Sequence, residues 1–87
     1  MHEYKLKNSL LINNVTKLLR QFNKHINSGG SITLDLSDVS NIDSAGLAFL
    51  IELKTNCIHN NCKINFINLS EPIINFCKLY QITLQMD

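Results

Sequence analysis

Residues 31–54, SITLDLSDVSNIDSAGLAFLIELK, constrain the fold more than any other stretch of the chain. Ile32, Leu34 and Leu36 alternate with Thr33 and Asp35, a period of two that specifies a strand. Ser37-Asp38 and Ser40-Asn41 supply turn chemistry, while Val39 and Ile42 dip back into the core. A helix begins near Ser44 and runs to Cys57 or Ile58, before Asn60-Asn61 breaks the pattern. Leu47, Leu50, Ile51 and Ile58 form one stripe of that helix. Ala48, Phe49, Leu53 and Cys57 lie off it, where a core-facing helix is normally polar. A helix apolar nearly all round is either deeply buried or presents a second face to a partner. Phe49 and Leu53 are where the two readings part: a partner contact, or packing beneath a neighbouring helix.

On the N-terminal side, Tyr4-Lys5-Leu6-Lys7 alternates as a short strand that can begin at His2. Asn8-Ser9 offers a helix start, since both side chains accept hydrogen bonds from free amides. Leu11, Val15, Leu18, Leu19, Phe22 and Ile26 then form a single helical stripe, with Lys17, Arg20, Gln21 and Lys24 on the other side. Gly29-Gly30 ends it. On the C-terminal side, residues 63–68 (KINFIN) read as a strand covered on both faces, with Ile64 and Phe66 on one and Ile67 and Leu69 on the other. Ser70-Glu71-Pro72 starts a helix whose buried stripe is Ile73, Phe76, Cys77 and Tyr80. Residues 81–86 (QITLQM) alternate once more, as a closing edge strand. Strands alternating with helices imply an α/β fold with a largely parallel sheet and right-handed crossovers.

Eighty-seven residues make one domain, spanning 1–87, near the lower limit for an unaided core. A hydrophobic content of 45% with 17% charged residues describes a globular chain. A net charge of +1 with no basic run disfavours nucleic acid as a partner. No apolar segment reaches the roughly 20 residues of a membrane span, and the first residues do not begin a signal peptide, so the expected location is the cytoplasm. Cys57, Cys62 and Cys77 lack a CxxC spacing and are expected as free, partly buried thiols.

Asp43-Ser44-Ala45-Gly46 puts small and polar residues at the junction of turn and helix. Ser44 either caps a free backbone amide or exposes its hydroxyl at the positive end of the helix dipole. A phosphate there would be stabilised by the amides and would add close to two negative charges to a contact surface. Capping does not require Gly46, which points instead to close approach by another backbone. Nothing else carries chemistry. His2, His25 and His59 share no metal-ligand spacing, and His59 with Cys62 is a lone pair. No phosphate-binding glycine loop is present. A triad of Ser44, His59 and Asp43 lacks any orienting context. The expectation is no catalytic residue, no metal and no cofactor.

The run LDLSDVSNIDSAGLAFLIEL resembles the signature of STAS domains, found in anti-sigma factor antagonists and sulfate-transporter tails. The resemblance continues through KINFINLSEPIINFCKLY and covers nearly the whole chain. It implies an α/β STAS-like single domain, with a sheet of about four strands, mainly parallel or mixed, and helices mainly on one side. The short N-terminus, Gly46-Leu47-Ala48 and Lys78-Leu79-Tyr80 lean towards the small subunit of phospholipid-transport ABC complexes. That branch implies a non-enzymatic subunit binding the transporter's ATPase through Asp43, Ser44, Ala45, Gly46, Phe49 and Leu53. It would reach the inner membrane only through that partner. The alternative branch implies an anti-sigma factor antagonist whose Ser44 is phosphorylated by a serine kinase. Many relatives carry an extra strand before the first helix, and residues 1–8 leave little room for one. Self-association is expected when the partner is missing.

Overall fold

Alternating Ile32, Leu34 and Leu36 build the middle of a parallel sheet. In the computed structural model, which describes residues 2–26 and 29–84, the elements are β1 (His2–Leu10), α1 (Val15–Asn23), β2 (Ser31–Ile42), α2 (Ser44–His59), β3 (Lys63–Ile67) and α3 (Glu71–Leu79). The strand order is β1-β2-β3, and both pairs are parallel. Leu6, Leu10, Ile32, Leu34, Leu36 and Phe66 are buried in a common core with the helices. The other sheet face shows Glu3, Lys5, Lys7, Lys63 and Asn65 to solvent. The helices therefore cover one face, and β3 is not covered on both as its apolar residues suggested.

β1 is the main departure at the N-terminus. It continues through Asn8-Ser9, so these residues do not start a helix, and a strand of nine residues precedes α1. Leu10 explains this: it is fully buried and pairs with Ile42, so the chain stays extended until that contact is made. The turn into α1 is tied by Asn14, whose Oδ1 accepts the Leu11 amide (2.9 Å) and whose Nδ2 donates to the Ser9 carbonyl (2.7 Å). α1 ends at Asn23, well before Gly29-Gly30. There the His25 amide bonds back to the Phe22 carbonyl (2.9 Å), and Tyr4 packs edge-on against Phe22.

β2 is twice as long as its alternation implied. The pairing runs Lys5↔Asp35 then Lys7↔Asp38, and Asn8↔Val39 then Ser9↔Asn41. At each step β2 carries one residue more than β1, which defines two bulges. Ser37 and Ser40 are the exposed residues that the pairing skips, each followed by a paired one, Asp38 or Asn41. Their turn chemistry bends the strand without ending it.

α2 and α3 both close on a left-handed residue, Asn61 (φ 54°) and Gln81 (φ 54°). In each case the next amide returns to the helix, Cys62 to Cys57 (2.8 Å) and Ile82 to Cys77 (2.9 Å), the hydrogen bond of a Schellman motif. Ser70 occupies the cap position of α3 without making a side-chain cap bond. Ile73 and Cys77 are buried beneath α3, Phe76 is half-buried, and Tyr80 is exposed. Residues 81–84 are turn and coil, and the rest of the expected closing strand, 85–87, lies outside the described residues. All three cysteines are free and buried.

Candidate functional site

Asp43, the residue between β2 and α2, caps the helix. Its Oδ1 accepts the Gly46 amide (2.9 Å), and its Oδ2 accepts the Ile12 amide (3.0 Å) from the turn after β1. The Asp43 amide itself donates to the Leu10 carbonyl (3.2 Å). One side chain thus joins two segments about 30 residues apart. The Gly46 amide first, and the Ile12 amide next, hold the Asp43 carboxyl below the usual carboxylate range. Capping therefore belongs to Asp43, and Ser44 is left exposed as the first residue of α2.

Gly46 does meet another backbone, but it is that of the same chain. A β-carbon at this position would overlap the Leu10 carbonyl oxygen and come within 2.8 Å of the Ile42 side chain. The glycine lets α2 rest on the end of β1, so the close approach expected of it is met within the fold, where Gly46 is buried. Ala45 is half-buried and packs against the core.

Phe49 and Leu53 also belong inside. They are 4% and 1% exposed, and Phe49 lies 6.4 Å from Phe22 between ring centroids. α2 touches both α1 and α3 as well as the sheet, and α1 covers the flank that carries Phe49. A helix with neighbours on two flanks can be apolar over most of its circumference. The outward apolar residues are Ile51 (39% exposed) and Ile58 (62%), both expected in the buried stripe. With Ser44, Ala48, Glu52 and Thr55, also exposed, they form the outer side of α2.

Ile12 was not singled out by its sequence context, yet it is 74% exposed and sits beside the start of α2, held there by Asp43. The candidate surface is Ile12, Asp43, Ser44 and the outer side of α2. Of the six partner-binding residues expected from the sequence, Asp43 and Ser44 lie on it. Ser44 and His59 stand at opposite ends of α2, about 22 Å apart at helical rise, so they form no triad with Asp43. No cluster of three potential metal ligands occurs among the described residues. An open groove of about 750 Å³ between α3 and residues 81–84, lined by Leu69, Ile74 and Ile82, lies away from this surface.

Residues 3–84 match the family described as STAS domain. The chain belongs to the STAS family, and the parallel sheet with helices on one face is consistent with that fold. Domains of this family are generally binding or regulatory modules, which suggests a role in protein interaction or regulation. No curated protein matches the chain. Among the described residues, no helix is long and apolar enough to cross a membrane.

Proposed function

We propose that the protein is a non-enzymatic regulatory or assembly subunit of a phospholipid-transport ABC transporter, in the manner of MlaB. It binds the ATPase subunit through the Asp43-Ser44 turn and the outer side of α2. It needs no cofactor and is held at the inner membrane, on the cytoplasmic side, by that partner. The observation that carries the reading is the outer side of α2. Ala48, Ile51 and Ile58 remain in solvent on a helix whose other sides are already packed, and they continue from a turn fixed by the two Asp43 bonds. An apolar strip on a pre-ordered element can bind without first paying for ordering.

The test is co-purification with the ATPase subunit. Ser44→Arg and Ile51→Glu are expected to keep the far-ultraviolet circular dichroism of the parent and lose the ATPase. Retention of the ATPase by both folded variants would refute the reading.

A second reading, a switch controlled by phosphorylation of Ser44, is favoured by the exposure of that residue. Asp43 already occupies the Gly46 amide, so a phosphate on Ser44 would face a carboxylate and compete with it. Such a group would weaken the cap and repel an acidic partner. Incubation with a cognate serine kinase and ATP should then place phosphate on Ser44 and on no other serine, read by mass spectrometry.

A further inference from the structure

β1 lies at the edge of the sheet. Only β2 is paired with it, and no described strand runs along its outer side. At nine residues it is the longer of the two edge strands, β3 having five. The two bulges do not blunt it, because the extra residue at each belongs to β2. β1 itself alternates without a break. Glu3, Lys5 and Lys7 are exposed on the open face, while Tyr4 is half-buried and Leu6 buried on the core face. A long, regular edge of this kind is a template for another strand.

The order of its side chains selects that strand. Two copies related by a twofold axis normal to the sheet pair antiparallel, and opposite residues must share a face. The axis therefore passes through a residue, and Tyr4, Lys5 and Leu6 are the central choices. At Leu6 it sets Lys5 against Lys7 twice, where like charges repel. At Tyr4 it leaves an overlap of residues 2–6 alone. At Lys5 the overlap is 2–8, Glu3 meets Lys7 at two places, and half-buried Tyr4 meets Leu6 at two. Lysines on an edge normally hold other strands off. Here Lys5 already has the Asp38 carboxylate at 3.5 Å in its own chain, and Lys7 is met by Glu3 of the facing copy. The complementarity lies in EYKLK read against itself, so a second copy of this chain supplies it.

We propose that β1 is a dimerisation edge, at which two copies of the chain join antiparallel about Lys5. The product is one six-stranded sheet with all helices on the same face. The contact uses neither Ile12, Ser44 nor the outer side of α2, and it stands independently of the partner-binding reading above.

Sedimentation of the full chain over a range of concentrations is expected to show monomer passing to dimer. Glu3→Lys sets lysine against lysine at both places, and Lys7→Glu sets acid against acid. Each is expected to weaken the dimer by about tenfold or more, with the circular dichroism of the parent. Glu3→Lys combined with Lys7→Glu exchanges the charges and should restore association. With oxidised glutathione, Lys5→Cys should give a covalent dimer, because Cα atoms facing each other at the axis stand about 4.5–5.5 Å apart, within reach of a disulfide. Lys7→Cys should not, since its two copies are four residues out of step, about 13 Å along the strand. The parent, whose three cysteines are buried, is the control. A chain that stays monomeric, a charge exchange that fails to restore the dimer, or equal cross-linking at 5 and 7 would overturn the proposal. So would a mass that climbs beyond the dimer, the mark of open-ended pairing of β1 with β3 of the next copy. Ser44→Arg and Ile51→Glu, which test the ATPase contact, should leave the dimer intact. If they dissolve it, the copies meet at α2 and the edge is not the interface.

Discussion

Gly46 rests against Leu10 so closely that the last carbonyl of β1 occupies the space a side chain would need. Helix α2 is thereby set on the end of a strand that lies 36 residues earlier in the chain. Gly46→Ala must move either the Leu10 backbone or the helix start, and the Ile42 side chain at 2.8 Å offers little alternative space. The expected cost is about 1–3 kcal/mol or more, read by urea denaturation. An unchanged midpoint would mean that α2 can shift outward freely.

Phe49 and Leu53 distinguish the inside of α2 from its outside. Phe49→Ala should cost about 3–5 kcal/mol and Leu53→Ala about 2–5 kcal/mol. Ile51→Ala and Ile58→Ala, on the exposed side, should stay within about 0.5 kcal/mol of the parent. Leu53→Glu is expected to unfold the chain, so it cannot report on partner binding.

Acid should loosen the start of α2. Asp35 and Asp43 both have carboxyls held below their ordinary value, Asp35 chiefly by the Ser37 amide and Asp43 by that of Gly46. A depressed folded-state value means the stabilisation is complete above the unfolded value of 3.8 and is lost as pH falls through the lower one. Thermal midpoints measured from pH 6 to about 2.5 should fall most steeply below pH 3.8. Asp43→Asn, which keeps a capping oxygen, should flatten that fall.

Gln81 closes α3 in the left-handed region at φ 54°, with its side chain exposed. Gln81→Gly is expected to stabilise the protein by about 0.5–1 kcal/mol. Loss of stability would show that the Gln81 side chain makes a contact worth more than the backbone strain.

The cysteines should resist thiol reagents. Burial, with Cys62 beside it, pushes the Cys57 thiol up to about 12, and burial raises Cys77 as well. Native protein should react with a disulfide reagent only at the rate of unfolding, and quickly in denaturant. Fast native labelling would indicate local opening of the α2–β3 turn.

Much of this fold is written in short-range pattern, because Ile32, Leu34 and Leu36 alternate and Gly46-Leu47 opens a helix. What escaped the sequence depends on distant contacts. Asn8-Ser9 has the chemistry of a cap, and its pairing with Val39 and Asn41, carried on by Leu10 with Ile42, keeps it extended. Ser37-Asp38 has the chemistry of a turn, and β1 running alongside makes it a bulge. The inward side of α2 was illegible for another reason. When Leu47, Phe49, Leu50, Ile51, Leu53 and Ile58 are all apolar, periodicity cannot say which arc α1 will cover. Asp43 and Ser44 were readable because polar residues beside a long apolar run stand out. Ile12 was not, because one isoleucine after two leucines looks like core.

The two bonds of Asp43 also set an order of events during synthesis and refolding. Residues 12 and 46 must both be in place before its carboxylate is satisfied, and parallel pairing of β1 with β2 requires closure of a loop of about thirty residues. α2 can wind locally well before that, with Phe49 and Leu53 still bare. The final shape of the candidate surface is thus a late product of folding, and an immature chain would expose Phe49 and Leu53 in its place.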